Sequence, residues 1–248
     1  TVSAYVEDAA IGASSARAGS VTVEANATDT ATTYTIAGSG GIGLALQGSV
    51  ALATVGTTVS AALDNATIYA SGAVALRSLA KQQVAAEAEG YALSGTLAAG
   101  ASVATAKVAV ASSATVNGGS LLDAGSIEVS TLLGPANSAV PAAAASASGS
   151  AGALVGITAT EAVANNTSSS KVLVEHSTLR ATGLVKVAAT GDSNQRASSS
   201  GLAVGIVAIG SNTARAVSTV TTTALVRDLS TASNGFVAGA VTVAATGT

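Results

Sequence analysis

Five segments of this chain share one pattern, a glycine leading a strictly alternating strand, and that repeat limits the fold more than any other feature. They are AGSVTVEAN around Gly19, SGAVALRSL around Gly72, AGSIEVSTL around Gly125, TGLVKVAAT around Gly183 and AGAVTVAAT around Gly239. By subtraction the glycines lie 53, 53, 58 and 56 residues apart. Two residues after each stand Val21, Val74, Ile127, Val185 and Val241; four after stand Val23, Leu76, Val129, Val187 and Val243. The residues between, Thr22, Ala75, Glu128, Lys186 and Thr242, vary freely. Branched aliphatics at period two mark a strand buried on one side.

The rest of each unit repeats more loosely. Ahead of the glycine, ATIYASG, SLLDAG and STLRATG place Ile68, Leu121 and Leu179 four residues upstream. This reads as a short strand entering a tight corner, where glycine takes a backbone conformation that other residues resist. After the glycine strand comes a Thr/Ala/Ser stretch, then a Gly/Ala/Val run such as GIGLALQGSVALATV or SAGALVGITATEAV. Both parities of that run are apolar or tiny, which predicts a strand buried on both faces or held in a very close sheet pair. Ser/Thr/Asn-rich tails at 57–65 and 165–170 finish the unit. The segment 81–89 (KQQVAAEAE) has helical composition, but its counterparts in the repeat are strands and it is read as one. Both prolines fall in an Ala/Pro-rich patch, 134–152, read as an inserted surface loop because proline is excluded from central strands.

One such unit cannot bury its own apolar row, whereas stacked neighbours can. The expected fold is therefore all-β, a parallel β-solenoid (β-helix) of wide coils with about 53–58 residues per repeat. The units are 1–18 (partial), 19–71, 72–124, 125–182 with its insertion, 183–238 and 239–248 (partial). One wide coil per repeat is favoured over three narrow turns of about 18 residues, since the glycine strand occurs once per unit. A sandwich would need hairpin turns every 8–12 residues or so and more aromatic core.

Composition removes several functions. Charged residues make up 9% and aromatics 2%, with ten Lys and Arg scattered along the chain. That provides no basic patch for nucleic acid. Cysteine is absent, so there is neither a disulfide framework nor a thiolate metal site. No apolar stretch approaches the roughly 18 residues of a membrane helix. One Phe and four Tyr cannot build the aromatic girdles of an outer-membrane barrel. The chain is expected to be soluble and not membrane-inserted. It begins at Thr1 without any Met and without a signal peptide, and is read as a piece of something longer.

The unit as a whole, a Gly-led VxV strand, a Thr/Ser/Ala run, a Gly/Ala/Val run, an Asn/Thr tail and a short strand, resembles the repeats of giant filamentous adhesins of Gram-negative bacteria. These are the filamentous-haemagglutinin-like and leukotoxin-like surface proteins. The resemblance implies secretion, cell-surface display and a structural or adhesive role, and it carries over no catalytic residue. Partners would be neighbouring repeats, other copies joined through ends or edges, and surface glycans. A stretch at 207–216 (VAIGSNTARA) is similar to the head repeat of trimeric autotransporters, but it occurs once where that fold needs many copies.

The candidate sites are few. His176 is the only histidine and reads as a polar corner residue beside Glu175 and Ser177. Glu87 and Glu89 share one face of an extended segment; Asp64 adjoins Asn65, and Glu7 adjoins Asp8. A β-helical glycosidase or lyase needs convergent carboxylates, or carboxylates with Lys or Arg, on one stacked face. The column Glu24, Arg77, Ser130, Ala188 and Ala244 is no such constellation. The expectation is no enzyme, no cofactor and no required metal. Thr28, Lys81, Gly134 and Asp192 break the threonine ladder that ice binding would need. A carbohydrate-binding face is the alternative function, with Tyr34, Tyr69 and Tyr91 as its aromatic candidates.

Overall fold

The structure, a computed structural model, describes residues 1–229 and 236–247, so parts of the units 183–238 and 239–248 lie outside the described residues. The described chain is all-β, with no helix. Its first tier comprises β1 (Val2–Glu7), β2 (Ala10–Ile11), β3 (Val21–Gly41) and β4 (Leu44–Val55). The second holds β5 (Thr58–Asp64), β6 (Thr67–Tyr69), β7 (Ala73–Ser94) and β8 (Leu97–Val108). In the third are β9 (Ala111–Asn117), β10 (Leu121–Ala124), β11 (Ser126–Pro135), β12 (Ala143–Gly152) and β13 (Val155–Asn166). The fourth has β14 (Ser169–Glu175), β15 (Thr178–Ala181), β16 (Leu184–Gly191), β17 (Gln195–Val204) and β18 (Val207–Ser218). A fifth begins with β19 (Thr221–Arg227), β20 (Phe236–Val237) and β21 (Ala240–Gly247).

Four parallel sheets result, and the chain visits them in the same order in every tier. The first sheet is β1-β5-β9-β14-β19, the second β2-β6-β10-β15-β20, and the fourth β4-β8-β13-β18. The third joins β3, β7, β11 with β12, β16 with β17, and β21. Pairing partners lie 52 to 59 residues apart by subtraction of their numbers, as in Ala143↔Gln195 and Ala143↔Val84. Among the described residues no strand pairs at the spacing of a narrow turn. The aliphatic rows read from the sequence are in register, with Val21↔Val74↔Ile127↔Val185↔Val241 forming one column of the third sheet.

Strand β7 shows why these residues form strands. Its alternate positions Val74, Leu76, Ala80, Val84, Ala86, Ala88 and Ala92 are buried, while Lys81, Glu87, Tyr91 and Leu93 point to solvent. The segment 81–89 belongs to this strand and is not helical. The buried side chains shrink along the strand, from valine and leucine to alanine and glycine. At its start they pack with Val59, Leu63, Ile68, Leu122 and Leu179 of the first two sheets in the main core. At its far end the third and fourth sheets touch over Ala45, Ala92, Ala98 and Ala151.

Four expectations need correction. The inserted loop is confined to residues 136–142, because β11 runs to Pro135 and 143–152 is strand β12, whose small side chains match the thin sheet pair. Proline fits at Pro135 because it is the last residue of its strand. In the second sheet Leu122, not Leu121, stacks between Ile68 and Leu179. The corner glycines are required by close stacking and not by a left-handed backbone, since only Gly12, Gly118 and Gly119 among the described glycines have positive φ. A Cβ on Gly72 would lie 2.6 Å from the Gly19 carbonyl oxygen, and one on Gly125 would lie 2.8 Å from that of Ser71. Finally, of the two readings of the Gly/Ala/Val strands, burial on both faces does not hold, whereas the close sheet pair does. In β4 the small Ala45, Ser49, Ala51 and Ala53 face inward, while Leu44, Leu46, Val50 and Leu52 face out.

Candidate functional site

The long strands of the third sheet present an outer face on which equivalent positions of successive tiers form rows. One row is Tyr34, Glu87, Ser146 and Ser198; the next is Ile36, Glu89, Ser148 and Ser200. Gly38, Tyr91, Ser150 and Leu202 follow. Alternation in β3 and β7 sets this geometry, because every second side chain of a strand lies on the same face. Glu87 and Glu89 therefore share a face, as their spacing requires.

Tyr34 and Tyr91 converge on one carboxylate. Each phenol donates to Glu89 Oε2 at 3.1 Å. Partial desolvation, followed by the Glu89 hydrogen bond, raises the Tyr34 phenol above its ordinary pKa. At Tyr91 the Glu89 hydrogen bond is the main cause of a shift in the same direction. Both phenols therefore stay protonated donors well into the alkaline range. Beside them lies a groove of about 330 Å³, with Tyr34, Glu87, Ser146, Ser198 and Arg196 along it and Pro141 of the 136–142 loop at its rim. It offers one aromatic ring, one carboxylate, a guanidinium and the hydroxyls of Thr32, Thr33, Ser146 and Ser198 on a shallow floor.

The third tyrosine is elsewhere. Tyr69, in the second sheet, has the Arg17 guanidinium 5.8 Å from its ring centroid. Arg17 in turn forms an ion pair with Asp123 at 2.7 Å, so this ring is already covered. The three tyrosines are alike in type, but the register separates Tyr69 from Tyr34 and Tyr91.

His176 stands at a corner, as expected, and the corner has a chemistry that the sequence shows only once the tiers are aligned. Asp8, Asn65, His176 and Asp228 all have φ between 47° and 50°, and Gly118 has 67°. Each directly follows the last residue of a first-sheet strand, so the five form one left-handed column. Asp, Asn, His and Gly are the residues that adopt this conformation most readily. The Asn65 side-chain amide donates to Asp8 Oδ1 at 2.6 Å along the column. Glycine suits position 118 because a Cβ there would lie 2.7 Å from the Asn65 backbone nitrogen. The role of His176 is thus a corner residue's. Among the described residues no three His, Cys, Asp or Glu side chains converge as a metal site requires.

Arg77, of the column Glu24, Arg77, Ser130, Ala188 and Ala244, joins an ionic cluster with Glu128 and Lys186 of the neighbouring column, Ala75–Glu128–Lys186. Arg77 donates to Glu128 through Nε at 3.0 Å and through Nη2, and Lys186 Nζ meets the same carboxylate at 3.0 Å. Glu24 lies in register with Arg77. Opposite charges thus alternate over four tiers. Burial alone would raise the Glu128 carboxyl, but the hydrogen bonds from Arg77 and Lys186 outweigh it and hold the group below its usual range.

Compared with known proteins, the chain matches no family model, no curated protein and no solved structure. Chemically, the groove can both donate and accept hydrogen bonds, through Tyr34, Arg196 and the serines on one hand and Glu87 on the other.

Proposed function

We propose that the chain is a stretch of a wide-coil parallel β-solenoid and serves as a non-catalytic structural and adhesive segment of a long, secreted bacterial surface filament. It works without cofactor or required metal. The observation that carries this reading is the contrast within one column. Val185 is 1% exposed between Ile127 and Val241, whereas Val241, the same side chain one tier on, is 51% exposed. An identical row thus gains its burial from the tier that follows. The unpaired backbone edges of β3 and β21 are templates on which further parallel strands can add. Antibodies against this chain are expected to label intact, unpermeabilised source cells and to reduce their adhesion. Labelling that appears only after permeabilisation would overturn the reading.

A second reading, carbohydrate binding by the third-sheet face, is favoured by the shared hydrogen bonding of Tyr34 and Tyr91 to Glu89. Its test is a glycan array followed by titration calorimetry. Saturable binding lost in Tyr34→Ala and in Tyr91→Ala supports it; the absence of hits, or hits indifferent to both changes, removes it.

A further inference from the structure

We infer that the outward face of the fourth sheet is a lateral interface on which a second copy of this chain packs, distinct from any pairing at the strand edges.

The face is apolar by orientation. In β4 the outward Leu46 is 63% exposed, and its neighbours Leu44, Val50 and Leu52 are similarly open, while the inward Ala45, Ala51 and Ala53 are buried. β13, which has a strand on each side, repeats the arrangement with Ile157 outward and Ala162 and Ala164 inward. In β18 both parities are exposed because no strand covers it, so β4 and β13 carry the weight. Register turns these residues into rows: Leu44, Leu97, Val155 and Val207, then Leu46, Ala99, Ile157 and Ile209. Ile42, Leu154 and Ile206 extend the surface around the adjoining turns. A contiguous apolar patch of this size marks an interaction surface on a soluble domain.

A second copy is the occupant that fits. Twelve-residue strands span about 40 Å, and four of them lie side by side over about 19 Å, giving a face of roughly 750 Å². A stable interface needs about 800 Å² per partner. Sheet faces pack on sheet faces about 10 Å apart, through aliphatic side chains such as these. The charges on this face, Lys107, Glu161 and Arg215, all lie in the second half of their strands, Glu161 nearest the middle, leaving the first three outward rows uncharged. A two-fold axis parallel to the strands superposes the uncharged half of one copy on that of the other. Such an isologous contact needs no complementary partner surface.

Sedimentation equilibrium on the 248-residue chain tests this. The expected result is a reversible dimer, weakened at least about tenfold by Leu46→Lys with Ile157→Lys. Both side chains are exposed in the single copy, so the circular dichroism spectrum should not change. The pair Leu46→Thr with Ile157→Thr keeps β-propensity and should weaken the dimer in the same direction. Dimerisation unchanged in both variants would assign association to the strand edges and overturn the inference. So would a chain that remains monomeric at about 1 mM, a concentration at which even weak contacts register. Co-sedimentation of that monomer with anionic vesicles would instead assign the face to lipid.

Discussion

The two ends of each tier solve the same burial problem in opposite ways. Where the first, second and third sheets meet, large aliphatics such as Leu63, Ile68, Leu76 and Ile127 point inward and are fully buried. Where the third and fourth sheets meet, Ala45, Ala92, Ala98 and Ala151 point inward, and leucines and isoleucines point out. The separation of the sheets decides which. Turns of only two residues, such as Ile42 with Gly43, fold β3 back onto β4 and leave room for little more than a methyl group. At the broad end two further sheets hold the walls apart. The difference teaches that hydrophobicity alone does not assign a side chain to the core; volume at a given wall spacing does.

The comparison breaks most readily by changing size. Ile127→Ala at the broad end removes a fully buried side chain between Val74 and Val185 and should cost about 3 kcal/mol in urea unfolding. Leu46→Ala at the thin end deletes as much apolar volume from an exposed site and should shift stability by about 0.5 kcal/mol or less. If both variants lose equal stability, the outward orientation of β4 is wrong. The converse change should hurt only the thin end: Ala151→Leu is expected to cost about 2 kcal/mol through overpacking.

Smaller effects sharpen the contrast. The narrow gap also holds a polar contact, Ser49 Oγ to Ser102 Oγ at 3.0 Å, and Ser49→Ala should cost about 1 kcal/mol. Glu128, at the broad end but on the outer face, supplies the least. Its folded pKa is depressed, so its contribution is present above the unfolded value near 4.3 and fades as pH falls through the folded one. Glu128→Gln should therefore lose about 0.5 kcal/mol at neutral pH and match the parent chain in strong acid. A deficit that persists in acid would point to packing, not charge.

The sequence carried the broad end plainly and the thin end poorly, for a physical reason. Alternation of Val, Leu and Ile with variable polar residues determines both face and register, so the column through Val21 and Val241 was legible in full. In β4 and β13 both parities are apolar or small, so period two has no contrast to read, and burial on both faces looked reasonable. The Ala/Ser composition of β12 hid a strand inside what reads as a loop, because it fits a gap that no periodicity reveals. The left-handed corner of Asp8, Asn65, Gly118, His176 and Asp228 was visible in residue type but not in any fixed spacing, since insertions shift its period. The approach of Tyr34 and Tyr91 to Glu89 depended on register across two tiers and was only half legible.

Stacking in register over all five tiers is open to direct measurement, because the chain has no native cysteine to interfere with labelling. Thr22 and Thr242 share one outward row, four tiers apart, although 220 residues separate them by subtraction. Spin labels on Thr22→Cys and Thr242→Cys should give a narrow distance distribution in pulsed electron resonance, centred near 20 Å from four steps of about 4.8 Å. A broad distribution, or one centred beyond about 40 Å, would mean that the tiers do not stack in this order.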